Sequence, residues 1–186
     1  MLRIITGKYK NKLIPIPKHL DYKPSKSKCR EAIFSILSGY LDFSDEMNEI
    51  AVLDLFSGSG ILGFEAISRG AKSLTLVDNH SEQLNISKLF IESINCSLQV
   101  KFLKMDATEL PKARYQYDLL FIDPPYHKDL VNKTLDSLIS GSWLKSNAFA
   151  VILTEKKANI TPPNELQIIT DRNYGNTKLS LFNHKY

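Results

Sequence analysis

From residue 50 onward, short apolar segments alternate with longer amphipathic segments, and this alternation constrains the fold more than any other feature of the chain. Short apolar runs bounded by turn residues predict buried strands, whereas apolar side chains at helical spacing predict helices packed on a sheet. The predicted strands are residues 50–56, 73–77, 98–103, 117–122 and 148–154, and the predicted helices between them are 61–69, 81–95 and 130–139. The alternation therefore predicts an α/β fold with a parallel, doubly wound sheet, which binds ligands at the carboxyl ends of its strands.

Both ends of the chain add elements to this predicted fold. Near the N-terminus, apolar residues interleave with basic ones and Gly7 can turn the chain, which predicts a small β-hairpin. We assign residues 1–24 to this hairpin extension and residues 25–186 to the main domain, which begins with an amphipathic helix. Two further strands at 166–170 and 178–182 bring the expected sheet to about seven strands. A chain of 186 residues suits one domain with a short appendage.

The composition excludes several classes of protein. Hydrophobic residues make up 43 % and charged residues 24 %, with 8 glycines and 8 prolines, which excludes collagen-like, low-complexity and wholly disordered chains. No apolar run approaches the roughly 18 residues of a membrane span, and the first residues lack the apolar region of a signal peptide. Cys29 and Cys96 cannot form a disulfide framework or a four-cysteine zinc site, and the 4 histidines show no ligand spacing. We therefore expect a cytoplasmic protein that binds no metal and no membrane.

The positive charge is concentrated at the N-terminus. Residues 1–30 hold nine basic side chains and one acidic side chain, although the whole chain carries a net charge of only +4. A basic arm on a mildly acidic body is typical of proteins that bind a polyanion such as nucleic acid. A solvated lysine-rich surface is the alternative, and charge alone does not separate the two. The candidate phosphate-binding residues are Arg3, Lys8, Lys10, Lys12, Lys23, Lys26, Lys28 and Arg30.

A glycine-rich turn follows the first strand of the main domain, in the run Asp54-Leu55-Phe56-Ser57-Gly58-Ser59-Gly60. Glycines without a Cβ let the backbone approach a ligand closely. Gly58, Gly60 and Gly63 also match the spacing of the dinucleotide-binding fingerprint. The carboxylate of Asp54 suits a cationic ligand with an amino group better than it suits a pyrophosphate. The alternative is an ordinary strand-to-helix turn without a ligand.

Acidic residues also follow the next two predicted strands. Asp78, with Asn79 after it, can accept hydrogen bonds from both hydroxyls of a ribose. Asp106, beside Ala107, can accept a hydrogen bond from the amino group of an adenine. Taken alone, Asp106 is better interpreted as the N-cap of a helix. Together with the glycine-rich turn, these residues indicate a nucleoside ligand.

The most specific motif is Asp123-Pro124-Pro125-Tyr126, which directly follows an apolar strand. The two prolines restrict the backbone and make the loop stiff, so it can direct carbonyl oxygens and the Asp123 carboxylate at one point. Tyr126 offers a flat face on which a base can stack. Two acceptors that hold the hydrogens of an exocyclic amine favour the geometry in which its lone pair attacks an electrophile. The alternative is a rigid turn after a strand-end aspartate.

These motifs together resemble the class I S-adenosylmethionine-dependent methyltransferases, in the branch that methylates exocyclic amino groups. Nearly the whole chain resembles one family in particular, the RsmD family. The runs that carry this resemblance are Arg3-Ile4-Ile5-x-Gly7-Lys8, Arg30-Glu31, Leu53-Asp54-Leu55-Phe56-Ser57-Gly58-Ser59-Gly60, Leu62-Gly63-x-Glu65-Ala66-x-Ser68-Arg69-Gly70-Ala71 and Tyr174-Gly175-Asn176-Thr177-Lys178-Leu179. Members of that family methylate a guanine N2 of bacterial 16S ribosomal RNA.

The resemblance implies a Rossmann-like fold, S-adenosyl-L-methionine as the methyl donor and the N2 amine of a guanine in 16S ribosomal RNA as the acceptor. The RNA is expected within the small ribosomal subunit or an assembly intermediate, and the enzyme as a monomer. The implied catalytic residues are Asp123, Pro124, Pro125 and Tyr126. The implied cofactor-binding residues are Asp54, Phe56, Ser57, Gly58, Gly60, Asp78, Asn79, Asp106 and Ala107.

Two other functions stay open at this point. A DNA adenine or cytosine amino-methyltransferase would share the motif at residues 123–126, although the sequence has no separate segment for target recognition. A non-catalytic RNA-binding assembly factor could keep the same fold and the basic arm. An oxidoreductase is a weaker alternative, because it leaves both the basic arm and residues 123–126 without a role.

Overall fold

A seven-stranded sheet and a separate two-stranded hairpin, with four helices, make up the part of the chain that is described here. A computed structural model describes residues 1–16, 27–43, 49–96, 99–125 and 130–185. The strands are β1 (Leu2–Arg3), β2 (Leu13–Ile14), β3 (Ala51–Leu55), β4 (Ser73–Asp78), β5 (Gln99–Lys104), β6 (Tyr117–Ile122), β7 (Leu144–Glu155), β8 (Leu166–Tyr174) and β9 (Thr177–His184). The helices are α1 (Ser27–Leu37), α2 (Ile61–Arg69), α3 (Ser81–Ser93) and α4 (Leu130–Ser140). None of these helices is long and apolar enough to cross a membrane.

The large sheet has the strand order β5-β4-β3-β6-β7-β9-β8. The five strands from β5 to β7 are parallel, and β9 and β8 are added antiparallel at the β7 edge. The chain winds outward from β3 through β4 to β5 and then returns to pair β6 with β3. Ligands of doubly wound sheets bind at such a switch point, beside the carboxyl ends of the central strands. The predicted seven-stranded, mostly parallel sheet is confirmed.

Both faces of the sheet are buried, as expected for a parallel sheet with helices on both sides. Val52 on β3 and Phe121 on β6 face a core that includes residues of α1, α2 and α3. Leu53 and Leu120, which are adjacent to Val52 and Phe121 in their strands, face a second core that includes residues of α4. The central strands read as continuous apolar runs because both of their faces are covered.

The predicted N-terminal hairpin is confirmed as β1 and β2, which pair antiparallel through Leu2–Ile14 and Arg3–Leu13. Its apolar residues Ile4 and Tyr9 are buried in the same core as α1, α2 and α3. The hairpin is therefore packed against the main domain, and the predicted boundary after residue 24 lies outside the described residues. The predicted N-cap of α1, Ser25, lies outside them as well.

The main difference from the predicted elements is at β7, which starts at Leu144 rather than at residue 148. The strand first pairs Tyr117 with Leu144, and its register then shifts before Leu119 pairs with Phe149. The extra residues include Asn147 at a φ of 62°, which fits a β-bulge. Polar, exposed residues inside the bulge concealed the start of the strand in the sequence.

Candidate active site

Three carboxylates lie at the carboxyl ends of β3, β4 and β6. In the register of the sheet, Leu55 of β3 lies beside Val77 of β4 on one side and Ile122 of β6 on the other. Asp78 and Asp123 directly follow those two partners, and Asp54 directly precedes Leu55. The structure thus brings together the acidic residues that the sequence placed in three separate motifs, at the switch point of the sheet.

The glycine-rich turn between β3 and α2 is tight and holds its residues in uncommon backbone conformations. Phe56, Gly58 and Gly60 have φ values of 55°, 53° and 73°. A Cβ added at Gly60 would lie 2.8 Å from Phe64 Cε2, so the position requires glycine for space as well as for conformation. The positive φ of the non-glycine Phe56 stores backbone strain, which is typical of functional sites.

Ser57, inside this turn, carries a buried polar group without a partner. The Ser57 amide donates to the carbonyl of Val77 at 3.0 Å, which ties the turn to β4. The Ser57 hydroxyl is buried and makes no hydrogen bond to the described residues. A buried hydroxyl without a partner costs free energy, so this one is suited to a ligand that supplies the missing hydrogen bond.

Asp54 is 2 % exposed and lies against the first turn of α2. Its Oδ2 accepts a hydrogen bond from the Gly63 amide at 2.9 Å. Burial raises the pKa of Asp54 well above its ordinary value, the hydrogen bond from Gly63 opposes that rise, and the charges of Asp123 and Asp78 add to it. A cation placed among these three groups would relieve both the desolvation and the repulsion.

Asp78 holds the glycine-rich turn from β4. Its Oδ2 accepts from the Gly58 amide at 2.8 Å, and its Oδ1 accepts from the His80 amide at 2.8 Å. The His80 ring nitrogen Nδ1 lies 3.1 Å from the same Oδ1. Because an ionised carboxylate has about four acceptor positions, Asp78 can hold the turn and still accept from a ligand hydroxyl. Asn79 is exposed beside it.

Asp106 follows β5, on the far side of β4 from the glycine-rich turn. The preceding residue is tied to this edge, since the Met105 amide donates to the Asp78 carbonyl at 3.2 Å. Asp106 Oδ1 accepts from the Thr108 amide at 2.8 Å and from its hydroxyl at 2.7 Å, and these bonds lower the pKa of Asp106. No helix follows in the structure, so the interpretation of Asp106 as a helix N-cap is wrong, and the residue forms a local turn instead. Ala107 is buried in the second core.

Asp123 leaves β6 toward the same edge, and burial raises its pKa to about 7. Pro124 is buried and Pro125 is exposed, while Tyr126 lies outside the described residues. The sequence reasoning missed one group on which the charge of this carboxylate acts, Cys29 on α1. Burial raises the pKa of Cys29 to about 11, with a further rise from the Asp123 charge and an opposing effect of Arg30. In the sequence Cys29 is only an apolar position of an amphipathic helix, which gave no signal of this electrostatic interaction.

The candidate phosphate-binding residues divide into exposed and buried groups. Arg3, Lys8, Lys10 and Lys12 on the hairpin are exposed, as is Lys28 on α1. Arg30 is 3 % exposed, and its Nη2 donates to the Arg3 carbonyl at 3.1 Å. Arg30 thus lies between α1 and the hairpin, away from the exposed basic residues, and its expected contact with phosphate stays a prediction. Lys23 and Lys26 lie outside the described residues.

Among the described residues, no group of three or more histidine, cysteine, aspartate or glutamate side chains is arranged to hold a metal ion. Two of the three carboxylates instead accept from backbone amides, Asp78 from Gly58 in the glycine-rich turn and Asp54 from Gly63 in α2. Such an edge combines acidic side chains, backbone donors and the buried Ser57 hydroxyl, the kind of polar groups that fix the orientation of a small ligand in a pocket.

Comparisons with known proteins agree with this geometry. Residues 2–183 match the model of a protein family described as Conserved hypothetical protein 95. The chain is 36 % identical to an uncharacterized methylase of Rickettsia prowazekii, over 96 % of both chains. It is 35 % identical to Ribosomal RNA small subunit methyltransferase D of Buchnera aphidicola subsp. Baizongia pistaciae, over 88 % of this chain and 82 % of the relative.

Solved structures share the whole fold. A Haemophilus influenzae protein described as a "putative methylase" superposes with a TM-score of 0.81 at 28 % identity, and the match covers 100 % of this chain and 99 % of the other. An Escherichia coli structure described as a "putative methyltransferase" gives a TM-score of 0.83 at 23 % identity, which shows a common fold over 99 % of this chain and 98 % of the other.

Proposed function

The chain belongs to the family described as Conserved hypothetical protein 95, the RsmD family of methyltransferases, and from this premise we propose that it methylates a guanine N2 amine in 16S ribosomal RNA. Relatives named as small-subunit ribosomal RNA methyltransferases support ribosomal RNA as the substrate class. The observation that carries the proposal is the meeting of Asp54, Asp78 and Asp123 beside the glycine-rich turn. The RNA would be bound within the small subunit or an assembly intermediate, by a monomeric, cytoplasmic enzyme.

The residues at this edge fit S-adenosyl-L-methionine, which carries a sulfonium and an amino group. Positive charge would offset the desolvation, and the smaller repulsion from Asp123 and Asp78, that raise the pKa of Asp54. Asp54, Gly58 and Gly60 would hold the methionine end, with Phe56 and Ser57 shaping the turn, and the buried Ser57 hydroxyl would gain a partner. Asp78, with Asn79 next to it, would bind the ribose, and Asp106 and Ala107 would lie at the adenine. When bound, the cofactor supplies a methyl group on a sulfonium, and that bond breaks to leave a neutral thioether.

Asp123 would act on the target amine. Its carboxylate and the Pro124 carbonyl can accept the two amine hydrogens and so orient the nitrogen lone pair, while the stiff Pro125 restricts the loop. As the nitrogen forms its bond to the methyl carbon it must lose one proton. A carboxylate whose pKa is about 7 can take that proton and release it to water at neutral pH. The target guanine would have to leave its stack in the RNA to reach this site, and Tyr126 would then stack on it.

The hairpin would bind the RNA backbone. The exposed residues Arg3, Lys8, Lys10 and Lys12, with Lys28 on α1, offer a cluster of positive charge for phosphates. Lys23 and Lys26 belong to the same basic segment of the sequence. Phosphate contacts of this kind fix the position of the RNA without reading its sequence.

A transfer assay tests this function directly. Radiolabelled S-adenosylmethionine is offered with unmethylated small ribosomal subunits, with naked 16S RNA and with duplex DNA, and the product is digested to nucleosides. We expect label in N2-methylguanosine from the RNA. Label in DNA would favour the DNA amino-methyltransferase, and cofactor binding without transfer to any substrate would favour a non-catalytic assembly factor.

The variant Asp123→Ala tests whether methyl transfer in this assay requires the Asp123 carboxylate. We expect the variant to lose nearly all turnover while it still binds the cofactor. Asp118→Ala is the matched control, because Asp118 lies on the same strand β6 but pairs with Lys145 at 2.7 Å, at the opposite end. Wild-type turnover in Asp123→Ala would refute the assigned role.

A further inference from the structure

The hairpin is bound to α2 by a fully buried carboxylate, Glu65, which the proposed function leaves without a role. Glu65 Oε2 accepts from the Ile5 amide at 2.8 Å, and Oε1 accepts from the Thr6 amide at 3.0 Å. Arg69, one turn later on α2, donates to Oε1 through Nε at 3.1 Å and through Nη2 at 2.9 Å. Each carboxylate oxygen is thus committed to donors, two of which belong to the hairpin.

Ser68 makes a second set of bonds to the same hairpin. Its Oγ accepts from the Tyr9 amide at 2.9 Å and donates to the Thr6 carbonyl at 2.5 Å. Its own carbonyl accepts from the Lys8 amide at 2.7 Å. Between these bonds, Gly7 has a φ of 85°, and a Cβ added there would lie 1.7 Å from the Ser68 carbonyl oxygen. The hairpin backbone therefore lies directly on the backbone of α2, and only glycine fits at the contact.

The docked hairpin carries its charges outward on a fixed base. Lys8, Lys10 and Lys12 are exposed on the turn, whereas Ile4 and Tyr9 are buried in the core beneath it. Basic groups on a fixed base lose less conformational entropy when they bind a polyanion than the same groups on a free arm. The docking contacts thus determine whether the lysines are held in a fixed arrangement before the RNA binds.

Helix α2 also forms one side of the cofactor site. It begins after Gly60, and its Gly63 amide donates to Asp54 at 2.9 Å, whereas Glu65 and Ser68 lie further along the same helix. A helix of nine residues extends about 13 Å. One rigid element therefore sets the distance between the glycine-rich turn and the basic hairpin.

We propose that Glu65 and Ser68 are positioning residues for the RNA substrate, which hold the basic hairpin at a fixed place relative to the methyl-donor site. This inference rests on the proposed function, because it assigns the docking contacts to substrate binding. It makes the hairpin a preformed part of the RNA site, and it gives a role to the Glu65-Ala66-x-Ser68-Arg69-Gly70 run of the sequence.

Gly7→Ala is the main test, with Gly175→Ala as its matched control. Both glycines have positive φ values, 85° and 63°, so alanine strains the backbone at both sites. A Cβ at Gly175 meets no atom within 4 Å, whereas one at Gly7 collides with Ser68. We expect Gly7→Ala to raise the KM for the RNA about tenfold through lost preorganisation. We expect kcat at saturating RNA and the Kd for S-adenosylmethionine to stay within about twofold.

Glu65→Gln provides a milder second variant that keeps the shape of the side chain. Its NH2 group would face a hairpin amide or Arg69, so one buried donor loses its acceptor. We expect faster amide hydrogen exchange at Ile5 and Thr6, a raised KM for the RNA and an unchanged Kd for S-adenosylmethionine. Thermal unfolding and the cofactor Kd establish that each variant is folded.

Four outcomes would overturn the inference. Faster exchange at Ile5 and Thr6 with a wild-type KM would mean that docking does not position the RNA. Equal rises in KM for Gly7→Ala and Gly175→Ala would point to a general loss of structure. Unchanged amide hydrogen exchange at Ile5 and Thr6 in both Gly7→Ala and Glu65→Gln would show that these contacts do not hold the hairpin on α2. If wild-type protein transfers no methyl group to RNA, the proposed function fails first and this inference fails with it.

Discussion

Replacing Asp123 by asparagine should make the ligand-free protein more stable, and increasingly so as the pH rises. Burial raises the pKa of Asp123 to about 7 from the ordinary aspartate value of 3.8. The folded protein therefore keeps this carboxyl protonated up to about neutral pH, whereas the unfolded chain ionises it near pH 4. Asparagine has nearly the same shape and carries no charge, so the variant removes the penalty of ionising a partly buried group.

The size and sign of this effect follow from proton linkage. Between pH 4 and pH 7 the unfolded wild-type chain binds fewer protons than the folded one, so its free energy of unfolding falls as the pH rises. Between pH 5 and pH 8 this one group should lower the free energy of unfolding of the wild type by about 3 kcal/mol relative to the variant. The raised pKa of Asp54 also makes the free energy of unfolding fall as the pH rises. The Asp123 charge is one cause of that raised pKa, so the variant reduces this loss as well.

Urea denaturation of wild type and Asp123→Asn at pH 5 and pH 8, without cofactor, measures the difference. Asp106→Asn is the control, since hydrogen bonds from Thr108 lower the pKa of Asp106 and the group is ionised in both states over this range. We expect the stability gap to widen with pH for the Asp123 variant and to stay constant for the control. A constant gap for both variants would refute the argument that Asp123 is desolvated.

Two further predictions concern turnover and the cofactor site. The kcat/KM for the RNA should rise with pH through about 7 and then level off, because in the proposed mechanism only ionised Asp123 accepts from the amine. Initial rates from pH 5.5 to 8.5 measure this dependence, and a flat profile would contradict it. Gly63→Ala should weaken cofactor binding, because its Cβ would lie 2.5 Å from Leu74 Cδ1 and 3.1 Å from Asp54 Oδ2. Gly39→Ala, where the nearest atom is 3.4 Å away, is the calorimetric control, and equal affinities for both variants would contradict the prediction.

The sequence predicts the sheet and its carboxyl edge well because both depend on local patterns. The strands at residues 117–122 and the helix at 61–69 are found with the predicted bounds, since apolar runs and glycine turns mark their ends. Asp54, Asp78 and Asp123 could be placed together because the ends of neighbouring parallel strands meet at one edge. The β7 bulge could not be predicted, because its polar residues conceal the start of the strand.

Contacts between distant segments were the part that sequence reasoning could not supply. Arg30 looked like one more basic residue of the N-terminal arm, yet it is buried and bonds the carbonyl of Arg3. Nothing in the sequence showed that the charge of Asp123 acts on Cys29. The charge of a side chain and its position in a helix show its chemistry but not its partner. The partner of Arg30 is 27 residues away in the chain, and the tertiary packing of the whole domain brings the two together.

Helix α2 shows why these distant contacts matter for function. On a surface helix, Glu65 and Ser68 would mark the solvent face. In this helix every residue from Ile61 to Ser68 is buried, because the hairpin covers the polar side that would otherwise meet water. A buried carboxylate is tolerated only when donors satisfy it, and here those donors are backbone amides of the basic hairpin and Arg69. The charge buried at Glu65 therefore specifies one position of the hairpin, and the proposed methyl-donor site lies at the other end of the same helix.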